Sequence, residues 1–179
     1  LTIKSGNGGL EAVSFQEYGM DSVLALRAGD GEDYQIFIPG SWVLDEFEAE
    51  ILEGTLEGNG VRALEAELSV TEGNAVFTQE DGRKADLECM GSGSILWEME
   101  SERYMEIDAE CRNGSITISI PETMDPGGIG YDIECENGTV EFLDFTVEGN
   151  QKKEAAGILS VMDLEAGSGT ISVQHTAAP

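Results

Sequence analysis

Cations are scarce in this chain, whose 179 residues include 9 Lys and Arg against 36 Asp and Glu, for a formal net charge of -27 with a single His. Nucleic-acid phosphates and anionic lipid surfaces repel such a chain, and its few basic side chains are scattered rather than gathered into a patch. No nucleic-acid partner and no direct membrane docking by the visible chain are therefore expected. A favoured partner is cationic, neutral (a protein or glycan surface) or a divalent metal. Long apolar runs are also missing, because no segment approaches the ~18 to 20 residues that cross a bilayer as a helix. The 3 cysteines are an odd number without a CxxC spacing or a neighbouring His, so no zinc or redox motif is present. His175 has neither a GxSxG elbow nor a Cys-His signature to serve, and a place in a solvent-exposed tail is expected for it. No catalytic, cofactor-binding or metal-ligating residue is assigned on these grounds.

What the chain has is alternation. Hydrophobic residues make up 40% of a chain long enough for one core, which argues for a single folded domain over residues 1–179. A short pattern of acidic, apolar, acidic, apolar recurs six times: Glu48-Ala49-Glu50-Ile51, Glu65-Ala66-Glu67-Leu68, Asp86-Leu87-Glu88-Cys89, Asp108-Ala109-Glu110-Cys111, Asp132-Ile133-Glu134-Cys135 and Asp163-Leu164-Glu165-Ala166. Their starts lie 17, 21, 22, 24 and 31 residues apart, the period of a solenoid. Glycine corners follow the copies: Gly54-Thr55-Leu56, Gly91-Ser92-Gly93-Ser94-Ile95, Asn113-Gly114-Ser115-Ile116, Asn137-Gly138-Thr139-Val140 and Gly167-Ser168-Gly169-Thr170-Ile171, with Gly73-Asn74-Ala75-Val76 as a displaced corner for the second copy. Gly and Asn accept the backbone of a tight corner, and the β-branched residue after them resumes an extended strand. Ile36-Phe37-Ile38-Pro39 and Ile118-Ser119-Ile120-Pro121 are strands that should stop at their prolines.

A strand period of two sends Ala109, Cys111, Ile116, Ile118 and Ile120 inward and Asp108 and Glu110 outward. The same parity holds for Leu87, Cys89, Ile95, Trp97 and Met99, and for Ile133, Cys135, Val140 and Phe142. Helical spacing is supported only in a short piece near Phe15 to Leu26. Stacked coils would set equivalent residues about 4.8 Å apart along an axis, placing Cys89, Cys111 and Cys135 in one ladder. The fold expected is all-β, a single-stranded β-helix or solenoid of six or more rungs over residues 31–173, right-handed, with residues 1–30 as an N-terminal cap or edge strands and 174–179 as a tail. An antiparallel β-sandwich is the alternative, since Asn-Gly corners also close hairpins.

The strand-Pro element at Ile36 to Pro39, the Asn-Gly-Ser-Ile and Asn-Gly-Thr-Val corners and the closing Gly167 to Val173 together resemble the bacterial putative-adhesin β-solenoid domains of the DUF4097 type. The resemblance covers roughly residues 30–173. It implies a β-helix exported from or attached to the cell envelope, with no catalytic residues to carry over. A chain that begins at Leu1 fits a removed signal or anchor segment, or a trimmed chain.

In register, Asp86, Asp108, Asp132 and Asp163 would form one row of carboxylates and Glu88, Glu110, Glu134 and Glu165 another. Neighbours ~4.8 Å apart repel by roughly 1 kcal/mol in water, whereas burying an Ile or Leu contributes about 1.5 to 3 kcal/mol. The rows are either a solvated face that keeps the sheet soluble or weak Ca²⁺ ligands, which must converge six to eight oxygens. Gly29-Asp30-Gly31-Glu32-Asp33 lacks the EF-hand spacing and reads as a surface turn. The cysteines read as buried, reduced, apolar residues. Trp42 and Tyr104 lie near loops as glycan-stacking candidates, while Trp97 suits the core. The function expected is non-enzymatic, an extracellular or cell-envelope surface for adhesion or interaction with a protein or glycan. Alternatives are an envelope sensory or regulatory domain, a self-assembling scaffold and, less favoured, a polysaccharide-active enzyme.

Overall fold

The computed structural model describes residues 2–5, 12–18, 21–28, 34–100, 104–157 and 160–176, with side chains from Ile38 onward. The described chain is all-β, with one 3-10 turn at Pro126–Gly128. Fifteen strands follow one another: β1 (Thr2–Ser5), β2 (Ala12–Tyr18), β3 (Asp21–Ala28), β4 (Tyr34–Phe37), β5 (Leu44–Glu80), β6 (Lys84–Cys89), β7 (Ser94–Met99), β8 (Glu106–Cys111), β9 (Ser115–Ile120), β10 (Ile129–Cys135), β11 (Thr139–Phe142), β12 (Phe145–Glu148), β13 (Gln151–Ala155), β14 (Ser160–Ala166) and β15 (Thr170–His175). As their prolines require, β4 and β9 end before Pro39 and Pro121.

The strands flanking each glycine corner do not pair with one another. β8 pairs in parallel with β6 and β14, and β9 pairs in parallel with β7 and β15. The Asn-Gly corner between them therefore joins two ladders rather than closing a hairpin. β5 enters both, because it bends at Gly73 so that residues 65–70 pair with β6 and residues 74–79 with β7. The path β12-β11-β15-β9-β7-β5-β6-β8-β14-β10-β13 is one mixed sheet that nearly closes on itself. Among the described residues antiparallel pairing is confined to β1 with β4, β2 with β3, β10 with β13 and β11 with β12.

Two expectations need correction. The segment from Phe15 to Leu26 is the β2–β3 antiparallel pair, with β3 laid in parallel on residues 46–51 of β5, and not a helical piece. β15 continues to His175, two residues past the expected boundary, and Thr176 N still donates to Ile120 O. The stretch from Gly29 to Asp33 lies outside the described residues.

Between the ladders the apolar members of each copy are buried without exception: Leu87, Cys89, Ala109, Cys111, Ile133, Cys135, Leu164 and Ala166 on one side, Ile95, Trp97, Ile116, Ile118, Val140, Phe142, Ile171 and Val173 on the other. Trp97 fills the centre, and its indole N–H donates to Gln79 Oε1 at 3.2 Å. Gln79 is itself buried and donates from Nε2 to Ala63 O at 2.9 Å, so this polar pair leaves no donor stranded.

From the Gly73 corner onward the strand spacing removes the room for side chains, whereas at Gly54 the space is open and the backbone φ of +118° favours glycine. A Cβ on Gly73 would strike Gly54 O; one on Gly93 would lie 2.8 Å from Gly73 O; one on Gly114 would strike Gly93 O; and one on Gly169 would lie 3.0 Å from Gly114 O and collide with Cys111 Sγ. Gly138 meets Gly169 O in the same way. Six glycines thus form a column. Gly169→Ala should destabilise the fold by about 1 to 3 kcal/mol in urea unfolding, whereas Gly40→Ala, where nothing lies within 4 Å, should change it by less than about 0.5 kcal/mol.

Candidate functional site

The copies on β6, β8, β14 and β10 pair in the expected register, whereas the Glu65–Leu68 copy on β5 is displaced by two residues, setting Glu67 beside Asp86 and Ser69 beside Glu88. The outward positions of the β5, β6, β8, β14, β10 and β13 ladder line up as rows. One row runs Glu67, Asp86, Asp108, Asp163, Asp132, Glu154. The row beside it runs Ser69, Glu88, Glu110, Glu165, Glu134 and ends on Lys152. The structure therefore brings together all eight carboxylates expected to form rows, but in a different order, with Asp163 and Glu165 between the Asp108 and Asp132 strands. The cysteine ladder changes likewise: Cys89 and Cys111 are neighbours, and Ala166 separates Cys111 from Cys135.

Few cations reach this face. Lys84 Nζ lies 2.7 Å from Asp86 and 3.9 Å from Asp108. Arg112 Nε lies 2.7 Å from Glu110. Lys152 closes the end of the rows, its Nζ at 3.1 Å from Asp132, 2.6 Å from Glu134 and 3.0 Å from Glu154. Hydrogen bonds to these three carboxylates push its ammonium above the ordinary lysine range. Among the described residues between the two lysines, the carboxylates of both rows outnumber the one paired cation, Arg112. Burial, a hydrogen bond shared with Asp86 and that neighbour's charge raise the Asp108 carboxyl. Burial and the charges of Asp132 and Glu134 raise Asp163. Burial followed by Glu110 raises Glu165, and burial followed by Glu48 raises Glu67.

Each of these carboxyls holds its proton more tightly in the folded chain than in the unfolded one, so protonation favours the fold. That contribution is complete below the ordinary carboxylate range and is lost as pH rises through the raised folded values. The melting temperature should therefore climb as pH falls from about 7 towards about 5. Asp108→Asn should raise stability at neutral pH by up to about 1 kcal/mol after screening and flatten that climb. A melting temperature that falls monotonically over the same interval in both proteins would sink the account.

The other ladder faces out with different chemistry. Asn74, Ser94, Ser115, Thr170 and Thr139 form one row, and Val76, Leu96, Thr117, Ser172 and Glu141 the next. Ser94 Oγ donates to Asn74 Oδ1 at 2.7 Å. The signal of this hydroxyl face in the sequence is the Ser or Thr that follows the corner glycine in the Gly93, Gly114, Gly138 and Gly169 corners, with Asn74 in its place after Gly73. Of the stacking candidates, Trp42 is 38% and Tyr104 50% exposed, and Trp97 is buried. His175 is half-buried, with Nδ1 3.1 Å from Pro121 O, and so is held on the strand end rather than in a tail.

Among the described residues no group of three or more His, Cys, Asp or Glu has the geometry to hold a metal ion, so the carboxylates line up without converging. Cys89, Cys111 and Cys135 are free and buried. A hydrogen bond with the Cys89 thiol, together with burial, holds the Cys111 thiol well above its ordinary value, and burial raises Cys135. Thiol titration should count three free sulfhydryls in denaturant and almost none reacting promptly in the native protein; a single sulfhydryl in denaturant would reveal a disulfide instead.

The fold and this face define an all-β domain built from stacked, in-register repeats. No family model matches the sequence, and no curated protein matches it. A crystal structure of a protein described as a putative cell adhesion protein from Clostridium sporogenes is similar over 97% of this chain and 81% of its own, with 15% identity and a TM-score of 0.49, a likeness too slight to bear on function.

Proposed function

We propose that the chain is a non-enzymatic β-solenoid of the adhesin-like type its corners resemble, working outside the cell or on its envelope as an adhesion or interaction surface. The observation that carries this reading is the regular carboxylate face of the β6, β8, β14 and β10 ladder. Its charges repeat once per strand on a rigid support whose interior is packed with apolar side chains. A repeating array engages a repeating partner at several points at once, so weak single contacts multiply into useful avidity. Its sign selects a protein or glycan surface that carries cationic groups, and the attraction steers encounter over a distance set by salt. Lys152, held by three carboxylates, is an example within the chain of how an ammonium seats between the rows.

The alternative of end-to-end self-assembly is opposed at one end of the stack. There β12 and β13 turn antiparallel across both ladders, and the exposed edge strand carries Lys152, Lys153 and Glu154, the charges that discourage strand addition.

A binding series on immobilised glycans and envelope extract, with and without millimolar Ca²⁺, tests the proposal. Saturable binding should weaken with added salt and drop at least tenfold, about 1.4 kcal/mol, when Asp86, Glu88, Asp108 and Glu110 become amides. Binding that survives the amide variant would move the contact to another face, and gain of binding with Ca²⁺ would make the rows metal ligands.

A further inference from the structure

Strand order departs from chain order at one place, in both ladders together. From β5 to β8 and β9, each unit lies beside the one before it in sequence, whereas β14 sits between β8 and β10, and β15 sits between β9 and β11. The corner is inserted as well. Gly167 N and Ser168 N donate to Cys111 O and Arg112 O on one side, while Glu136 N and Asn137 N donate to Ala166 O and Gly167 O on the other. The last described strands therefore fill a slot whose two walls come earlier in the chain.

Those walls match each other. Asp108-Ala109-Glu110-Cys111 with its Asn113-Gly114-Ser115 corner faces Asp132-Ile133-Glu134-Cys135 with its Asn137-Gly138-Thr139 corner, both in register with the insert and hence with one another. Brought together directly, they would set Cys111 beside Cys135, Ile116 beside Val140 and Arg112 beside Glu136, with apolar parity intact and opposite charges adjacent at the corner. The connection allows it: residues 121–128 now bridge two strand spacings, about 9.6 Å, and eight residues can reach about 26 Å. Entry of the insert is the constrained step. Between β13 and β14 the chain crosses the start of β10, where any Cβ on Gly157 would collide with Gly130 N and Ile129 C.

We propose that β14–β15 is a displaceable insert: the chain has a second in-register arrangement in which β10–β11 closes onto β8–β9 and residues 160–175 are released. The inserted arrangement is held by burial of Met162, Leu164, Ala166, Ile171 and Val173 and by the Ser160 hydroxyl, which donates to Met105 O at 2.6 Å. Release leaves an alternating strand pair with unpaired edges and an apolar face, the form that adds to an open sheet.

The native cysteines report the difference. In the inserted fold Cys111 and Cys135 stand two strand spacings apart, about 9.6 Å, and in the closed arrangement one, about 4.8 Å. The wild-type chain is refolded from urea and pulsed at increasing delays with dibromobimane, a linker shorter than two strand spacings. Each thiolate displaces one bromide, and linked peptides are read by mass spectrometry. A Cys111–Cys135 link should rise above its level in the urea-unfolded chain in early pulses, then fall at least tenfold once β14–β15 has entered. A series that yields Cys89–Cys111 links without that rise overturns the proposal. Gly157→Ala, which obstructs the crossing, should raise the same link severalfold at equilibrium without denaturant while the β6 to β9 amides stay protected from hydrogen exchange. A folded Gly157→Ala protein with the link at the wild-type level also counts against it, and the wild-type series decides the matter alone if the variant does not fold.

Discussion

Parallel, in-register pairing of near-identical segments governs this molecule, because it places each residue about one strand spacing from its equivalent in the neighbouring copy. Like therefore meets like along the whole stack. Indoors this is favourable: Ile95, Ile116 and Ile171 fall in line, as do Trp97, Ile118 and Val173, and all are buried. At the corners it becomes a steric demand, since backbone meets backbone and only glycine fits the column from Gly73 to Gly138. On the water side it becomes electrostatic, since a carboxylate at one position becomes a row.

These consequences balance in favour of the fold. A pair of carboxylates one spacing apart in water opposes the stack by roughly 1 kcal/mol, while each buried aliphatic side chain supports it by about 1.5 to 3 kcal/mol. Every copy brings two outward acids on its first strand and several inward apolar residues over both strands, so within each unit burial outweighs the repulsion between carboxylates. Burial first, and then the neighbouring carboxylates, raise the Asp108 and Asp163 carboxyls, so that opposition is one part of their shift. The hydroxyls of the second ladder show that outward positions need not be charged for the stack to form. The acidic rows are thus separable from folding, and that leaves them free to serve as a surface.

The repeat made much of this legible. Alternation fixed which of Asp108, Ala109, Glu110 and Cys111 face the core, and the corners marked where β8 gives way to β9. What stayed hidden was the order of units, for a physical reason: each copy presents the same parity and spacing, so any copy can lie beside any other. The pattern that identifies Asp163-Leu164-Glu165-Ala166 as a unit carries no information that it belongs beside Asp108. The segment from Phe15 to Leu26 gives no clear sign in the sequence because short apolar runs fit helix and strand periods alike; its two strands pair with each other, and only the second neighbour of β3, residues 46–51, lies further along the chain.

Interchangeable units leave their order to the connections between them, which are the irregular parts of the chain. Residues 121–128 carry the chain past one strand position, and β12 and β13 then reverse direction across both ladders. At Gly157 and Gly130 two backbones pass closely enough to exclude any side chain, and the chain re-enters the gap it had left. The reversal also ends what repetition alone would continue. Where another carboxylate would extend the Glu88 row, the antiparallel strand supplies Lys152, which binds the ends of both rows and places charge on an edge strand. Repetition gives the stack its register and its surface, while the one departure from repetition sets where the stack stops.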